Sequence, residues 1–94
     1  MFDLLAKTLV DFEADISDRL FSRFELTEIE AHKIANEIVR DLSSLVQEHL
    51  GDQLPLCESL STEDQKDVVD GIMKNFAPLA LEAGVADLKE RRIH

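Results

Sequence analysis

Residues 2–24 read FDLLAKTLVDFEADISDRLFSRF, and the spacing of the apolar side chains in this stretch indicates a helical fold. Apolar residues recur every three or four positions, as they do along one face of an α-helix; they are Leu5, Leu9, Phe12, Ile16 and Leu20. Most of the acidic residues fall outside this stripe, on a face that we expect to be solvated. The pattern predicts a first helix over residues 2–24.

The stretch after this helix carries a helix-starting motif. Thr27 and Glu30 have the spacing of a capping box, in which each side chain accepts a hydrogen bond from the other residue's backbone N–H. Apolar residues at helical spacing follow, and Gly51 favours the left-handed conformation that ends many helices. A second helix is therefore predicted over residues 28–50.

The remaining chain predicts a connector and two shorter helices. Residues 51–60, GDQLPLCESL, lack helical spacing and predict a short extended segment at 53–57. Ser61 and Thr62 offer a cap for a third helix over residues 62–75. Pro78 disfavours helical geometry at the preceding residue and suits a first helical turn, so it predicts a break or a kink and a fourth helix over residues 78–90.

These elements predict an all-α fold of three to four helices in one domain, residues 1–94. No repeat or linker divides the chain, and residues 89–94 are expected to form a mobile basic tail. The predicted first helix would be about 35 Å long at 1.5 Å per residue, which is long for a compact domain of this size. We therefore expect a second copy to cover part of it in a homodimer, the commonest oligomer, although a monomeric bundle remains open.

The candidate binding surface comprises apolar residues of the first helix, the second helix and the connector, and the named interface candidates lie on the first helix and the connector. They are Phe2, Leu9, Phe12, Ile16, Phe21, Phe24, Leu54 and Leu56.

Charge bears on which partners are possible. Twenty Asp and Glu against ten Lys and Arg give a formal net charge of −10, which disfavours direct nucleic-acid binding because phosphates bind cations. The one basic stretch is the tail, where cations also suit a helix C-terminus. Six carboxylates could instead form an acidic face that imitates DNA: Asp11, Asp15, Asp18, Glu25, Glu28 and Glu37.

The sequence suggests no catalytic site. A catalytic pair of carboxylates needs a pocket, and the carboxylates of this chain are expected on solvated helix faces. A helical metal enzyme built on Glu28, His32 and Glu48 is a minor alternative that lacks further ligands. We expect no catalytic, cofactor or metal residues, no small-molecule substrate, and a structural role for the single cysteine, Cys57.

The N-terminus places Asp3 and Lys7 where a signal peptide would be cationic and then apolar. No stretch has the roughly 20 apolar residues of a membrane span. We therefore expect a cytoplasmic protein without membrane contact.

Residues 24–76 resemble the dimerisation half of the Mor transcription activator family of Mu-like phages. The features that carry the resemblance are a helix at 34–50, the turn Gly51-Asp52-Gln53, an extended piece at 54–56 and a helix at 67–76. The resemblance implies an intertwined dimer with a role in transcription regulation. It does not extend to the DNA-binding part, because residues 77–94 are too few and too poor in cations for a helix-turn-helix.

Together these observations predict a non-enzymatic regulatory or adaptor protein that acts through protein–protein contacts as a homodimer. The alternative is a phage-type DNA mimic that inhibits a nucleic-acid-binding enzyme. Salt separates the two, because binding through mimicry weakens steeply as ionic strength rises.

Overall fold

Three α-helices and one short 3-10 helix make up the computed structural model, which describes residues 2–93 and the side chains of residues 2–90. The elements are α1 (Phe2–Arg23), α2 (Glu28–Leu50), the 3-10 helix (Leu54–Ser59) and α3 (Thr62–Ile93). No strand occurs within residues 2–93. The predicted all-α fold is confirmed, and the predicted bounds of the first two helices agree with the structure to within one residue.

Helix α2 is the centre of the bundle, and α1 and α3 both run antiparallel to it. Leu5, near the start of α1, lines the same depression as Val46, near the end of α2. His49 at the end of α2 stacks on Phe76 of α3, with ring centroids 5.6 Å apart. Further along α3, Gly84 lies against Ile38 of α2.

The core is one cluster of apolar side chains that runs along the length of the bundle. Among the described residues, α2 and α3 contribute five buried side chains each. Those of α2 lie on a face with two alanines that let the neighbouring helices approach; they are Ala31, Ala35, Ile38, Leu42 and Val46. The molecule measures 48 × 21 × 17 Å, so the core is long and thin. The stripe predicted on α1 is enclosed at Leu5, Ile16 and Leu20.

This shape corrects one expectation from the sequence. We expected that a single copy could not cover the full length of α1, because that expectation took the domain to be compact. α3 has 32 residues and is about 48 Å long at 1.5 Å per residue. Because α2 and α3 extend alongside α1, one chain buries most of its apolar stripe.

Local hydrogen bonds explain where α2 and α3 begin. Thr27 Oγ1 accepts from the backbone N–H of Glu30 at 3.1 Å, and Glu30 Oε1 accepts from the N–H of Thr27 at 3.2 Å. The predicted capping box is therefore present. Ser61 Oγ accepts from the N–H of Asp64 at 3.1 Å, which satisfies one backbone donor in the first turn of α3.

The connector differs from its prediction. Gly51 has right-handed helical angles, φ −54° and ψ −38°, and its N–H donates to the Gln47 carbonyl, so the predicted left-handed ending is wrong. The predicted extended segment at 53–57 is instead the start of the 3-10 helix. Pro55 sits in its first turn, where a missing N–H costs no hydrogen bond. Gln65 of α3 secures this segment by donating from Nε2 to the carbonyls of Cys57 and Leu60.

The predicted break at Pro78 is also wrong, because α3 continues through it. The ring of Pro78 is exposed, whereas Ala77 and Ala80 on either side are buried against the core. Packing of the flanking residues thus outweighs the backbone hydrogen bond that proline cannot donate. The predicted mobile tail begins inside this helix, and its side chains beyond Glu90 lie outside the described residues.

Candidate protein-binding surfaces

The eight predicted interface residues fall into three groups in the structure. Ile16 and Leu54 are 1% and 4% exposed and belong to the core of one chain. Three residues are half-buried at the edge of the core: Leu9, Phe12 and Phe24. The other three are exposed, namely Phe2, Phe21 and Leu56. Only the last two groups offer apolar surface to a partner.

Several exposed apolar residues were not predicted as interface. The most accessible are Ile29, 81% exposed on α2, and Val10, 64% exposed on α1; Leu79 on α3 is 55% exposed. On α1, the positions of Val10, Ala14, Ser17 and Phe21 form a second row at helical spacing, beside the buried stripe. This row could have been found in the sequence, but its small and polar members weaken the signal.

A shallow channel follows that row between α1 and α2. Two depressions join at Ser17, Asp18 and His32; one reaches Val10 and the other reaches Phe21. We call this surface the α1–α2 channel.

Glu13 links the two sides of the α1–α2 channel. Its Oε1 accepts from Asn36 Nδ2 at 3.3 Å and lies 3.6 Å from His32 Nε2. The channel therefore has a polar centre held by contacts between the helices, with an apolar residue towards each end.

A second depression lies between α1 and the C-terminal half of α3, and we call it the α1–α3 groove. Its cavity volume is about 220 Å³. Apolar side chains form one part of its lining: Ile16, Leu20, Phe24, Leu81 and Val85. The other part is cationic, with Arg19 and Arg23 from α1 and Lys89 from α3.

This cationic lining contrasts with the rest of the molecule. Three of the ten Lys and Arg residues meet at one groove in a chain of net charge −10. Arg19 Nη2 lies 3.2 Å from Asp15 Oδ2, one turn earlier on α1, so this carboxylate holds the guanidinium beside the groove. Sequence reasoning missed this site because Lys89 is distant in the chain from the two arginines.

The six residues of the predicted acidic face do not share one surface. Asp18 and Glu28 line the α1–α2 channel, whereas Glu37 lines a cleft on the other side of α2, between α2 and α3. Asp15 is engaged by Arg19. A DNA mimic needs its charges in register along one face, so the structure supplies no observation that favours this alternative, which stays a prediction.

The residues of the metal alternative are also separated. Glu28 and His32 line one depression. Glu48 lies about 24 Å from His32 along the axis of α2. Among the described residues, no group of three His, Cys, Asp or Glu side chains is placed to hold a metal ion. Cys57 is half-buried, and its Sγ lies 3.5 Å from the Gln53 carbonyl.

A search of the described helices finds none with the length and apolar content needed to span a membrane. Comparison with protein families, with curated proteins and with solved structures finds no match for this chain. The resemblance to the Mor family thus stays a prediction.

Proposed function

We propose that this chain is a non-enzymatic adaptor or regulatory protein that works through protein–protein contacts, and that it pairs as a homodimer through the α1–α2 channel. The observation that carries the proposal is the row of Val10, Ala14, Ser17 and Phe21 on α1, whose two large apolar side chains are 64% and 49% exposed at either end of the channel. Pairing of two copies would cover both of these side chains, which one chain leaves exposed.

The order of residues along the channel suits a two-fold axis. Val10 and Phe21 are about three helical turns apart, on the order of 16 Å. When two copies of α1 lie antiparallel across the axis, the Phe21 end of each copy meets the Val10 end of the other. Each aromatic ring then covers an aliphatic side chain, as a self-complementary interface requires.

Charge shapes the expected behaviour of this dimer. Glu13, Asp18 and Glu28 line the same channel, so pairing brings carboxylates of two copies close together. Salt screens this repulsion. We therefore expect added salt to strengthen the dimer, which is the opposite of its effect on a complex held by complementary charge.

The regulatory part of the proposal draws on the resemblance of residues 24–76 to a phage activator dimerisation domain. The 3-10 connector departs from the extended piece of that pattern. The resemblance supports only the class of protein, a dimeric regulator, and the channel supports the mode of pairing.

Light scattering on the purified chain tests the dimer. We expect the wild type to reach a mass of twice 10.6 kDa as its concentration is raised to hundreds of micromolar. The Phe21→Glu variant should keep the mass of one chain. Leu79→Glu is the matched control, because Leu79 is similarly exposed but lies on α3, and it should leave the dimer intact. If the wild type has the mass of one chain in high salt, the pairing is refuted. If both variants lose the dimer to the same extent, the α1–α2 channel is not the site of pairing.

A further inference from the structure

We propose that the α1–α3 groove binds an acidic amphipathic segment of a partner protein, with an apolar side chain in the groove and carboxylates on its cations. This inference deepens the proposed function, on which it rests for the class of partner. It concerns a different face from the dimer, so the two can fail independently.

The size and openness of the groove favour a side-chain anchor. Small-molecule sites usually hold about 300–1,000 Å³ and enclose most of the ligand, whereas this groove has about 220 Å³ and is partly open to solvent. Its floor is apolar, with Ile16 and Leu20 buried and Leu81 and Val85 half-buried at its wall. A leucine or phenylalanine on a partner helix suits such a floor, as in helix-in-groove recognition.

The cations select the charge of the segment. Arg19 and Arg23 are one turn apart on α1, and Lys89 faces them from α3. Guanidinium groups bind carboxylates through paired hydrogen bonds. Arg19 already contacts Asp15, so we expect Arg23 and Lys89, on two different helices, to bind the carboxylates of the segment. The negative charge elsewhere on the molecule repels an acidic segment, which confines binding to this groove.

Two matched peptides test the charge preference. Both are amphipathic helices of about five turns with leucines on one face; one carries glutamates beside the leucines, and the other carries lysines at the same positions. Non-specific attraction to a chain of net charge −10 favours the lysine peptide. We expect the reverse in fluorescence anisotropy at low salt, with the glutamate peptide binding about tenfold more tightly. Tighter binding of the lysine peptide would overturn the proposal.

Paired variants test the location. Arg23→Gln with Lys89→Gln should weaken binding of the glutamate peptide about tenfold. Lys66→Gln with Lys74→Gln changes the net charge by the same amount at exposed sites away from the groove. This pair should weaken binding of the glutamate peptide far less. Circular dichroism checks that both variants remain helical. Equal weakening in both variants would show that overall charge, and not the groove, governs binding.

A final experiment distinguishes peptide binding at the α1–α3 groove from pairing at the α1–α2 channel. Phe21→Glu should abolish pairing and keep the preference for the glutamate peptide, whereas Arg23→Gln with Lys89→Gln should remain dimeric. Amide shifts in NMR spectra should cluster on the second half of α1 and the C-terminal half of α3. Shifts centred on the α1–α2 channel would contradict the groove as the binding site.

Discussion

At the scale of single residues, the close approach of α3 to α2 depends on Gly84. A Cβ atom at this position would lie 2.4 Å from Ile38 Cγ1 and 2.7 Å from Cδ1. Ile38 is 1% exposed, so its side chain has little room to move. In the sequence Gly84 only weakens a helix, but in the structure it allows two helices to touch.

Alanine at the two glycines of α3 should therefore have opposite effects. Gly84→Ala should lower the free energy of unfolding by about 1–2 kcal/mol, because overpacking exceeds the gain in helix propensity. Gly71→Ala is the matched control: its Cβ would meet nothing within 4 Å, and it should raise the free energy of unfolding by about 0.5–1 kcal/mol. Urea denaturation measures both, and stabilisation of similar size at both positions would rule out the close contact.

At the scale of elements, α3 shows how packing overrides a local helix breaker. Pro78 lacks the N–H that would donate to the carbonyl of Lys74, and the residue before a proline tends to leave the helical region. The helix continues because Ala77, Ala80 and Leu88 are buried along the same core. Sequence patterns count the local cost of the proline, but the compensating contacts come from α1 and α2.

Pro78→Ala should consequently stabilise the protein. Alanine restores the backbone hydrogen bond in the middle of α3 and should raise the free energy of unfolding by about 1–3 kcal/mol. Leu79→Ala, at the neighbouring exposed position, serves as the control and should change the free energy of unfolding by less than about 0.5 kcal/mol. Thermal and urea unfolding give the comparison. A loss of stability in Pro78→Ala would mean that the helix direction set by the proline is needed to bury Ala77 and Ala80.

At the scale of the whole molecule, an elongated bundle carries a net charge of −10. Such a charge destabilises the folded chain through self-repulsion. Raising the ionic strength from about 0.01 M to about 0.15 M shortens the Debye length from about 30 Å to about 8 Å. Stability should therefore rise with salt.

We expect this increase in ionic strength to raise the Tm by about 4–8 °C, which corresponds to about 1 kcal/mol in the free energy of unfolding of a domain of this size. Calorimetry at several protein concentrations separates the screening of one chain from any contribution of dimerisation, because only the latter depends on concentration. A Tm that falls with salt would show that attractive ion pairs outweigh the repulsion between carboxylates.

The proposed binding surfaces could be predicted from the sequence only in part. Phe21 was identified as interface and lies at the α1–α2 channel, and Ile16 and Phe24 line the α1–α3 groove. Val10 and Ile29 were missed, although they are more exposed than Phe21. An apolar residue looks the same in a sequence whether another helix covers it or not.

Three features follow from local sequence patterns: the helical class, the extent of α1 and α2, and the capping box at Thr27 and Glu30. They do so because periodicity and capping act within a few turns of chain. The packed structure was needed to show that α3 continues through Pro78, that Gly84 meets Ile38, and that cations of α1 and α3 line one groove. These features join residues tens of positions apart, and their energy arises from contacts that exist only once the helices have packed.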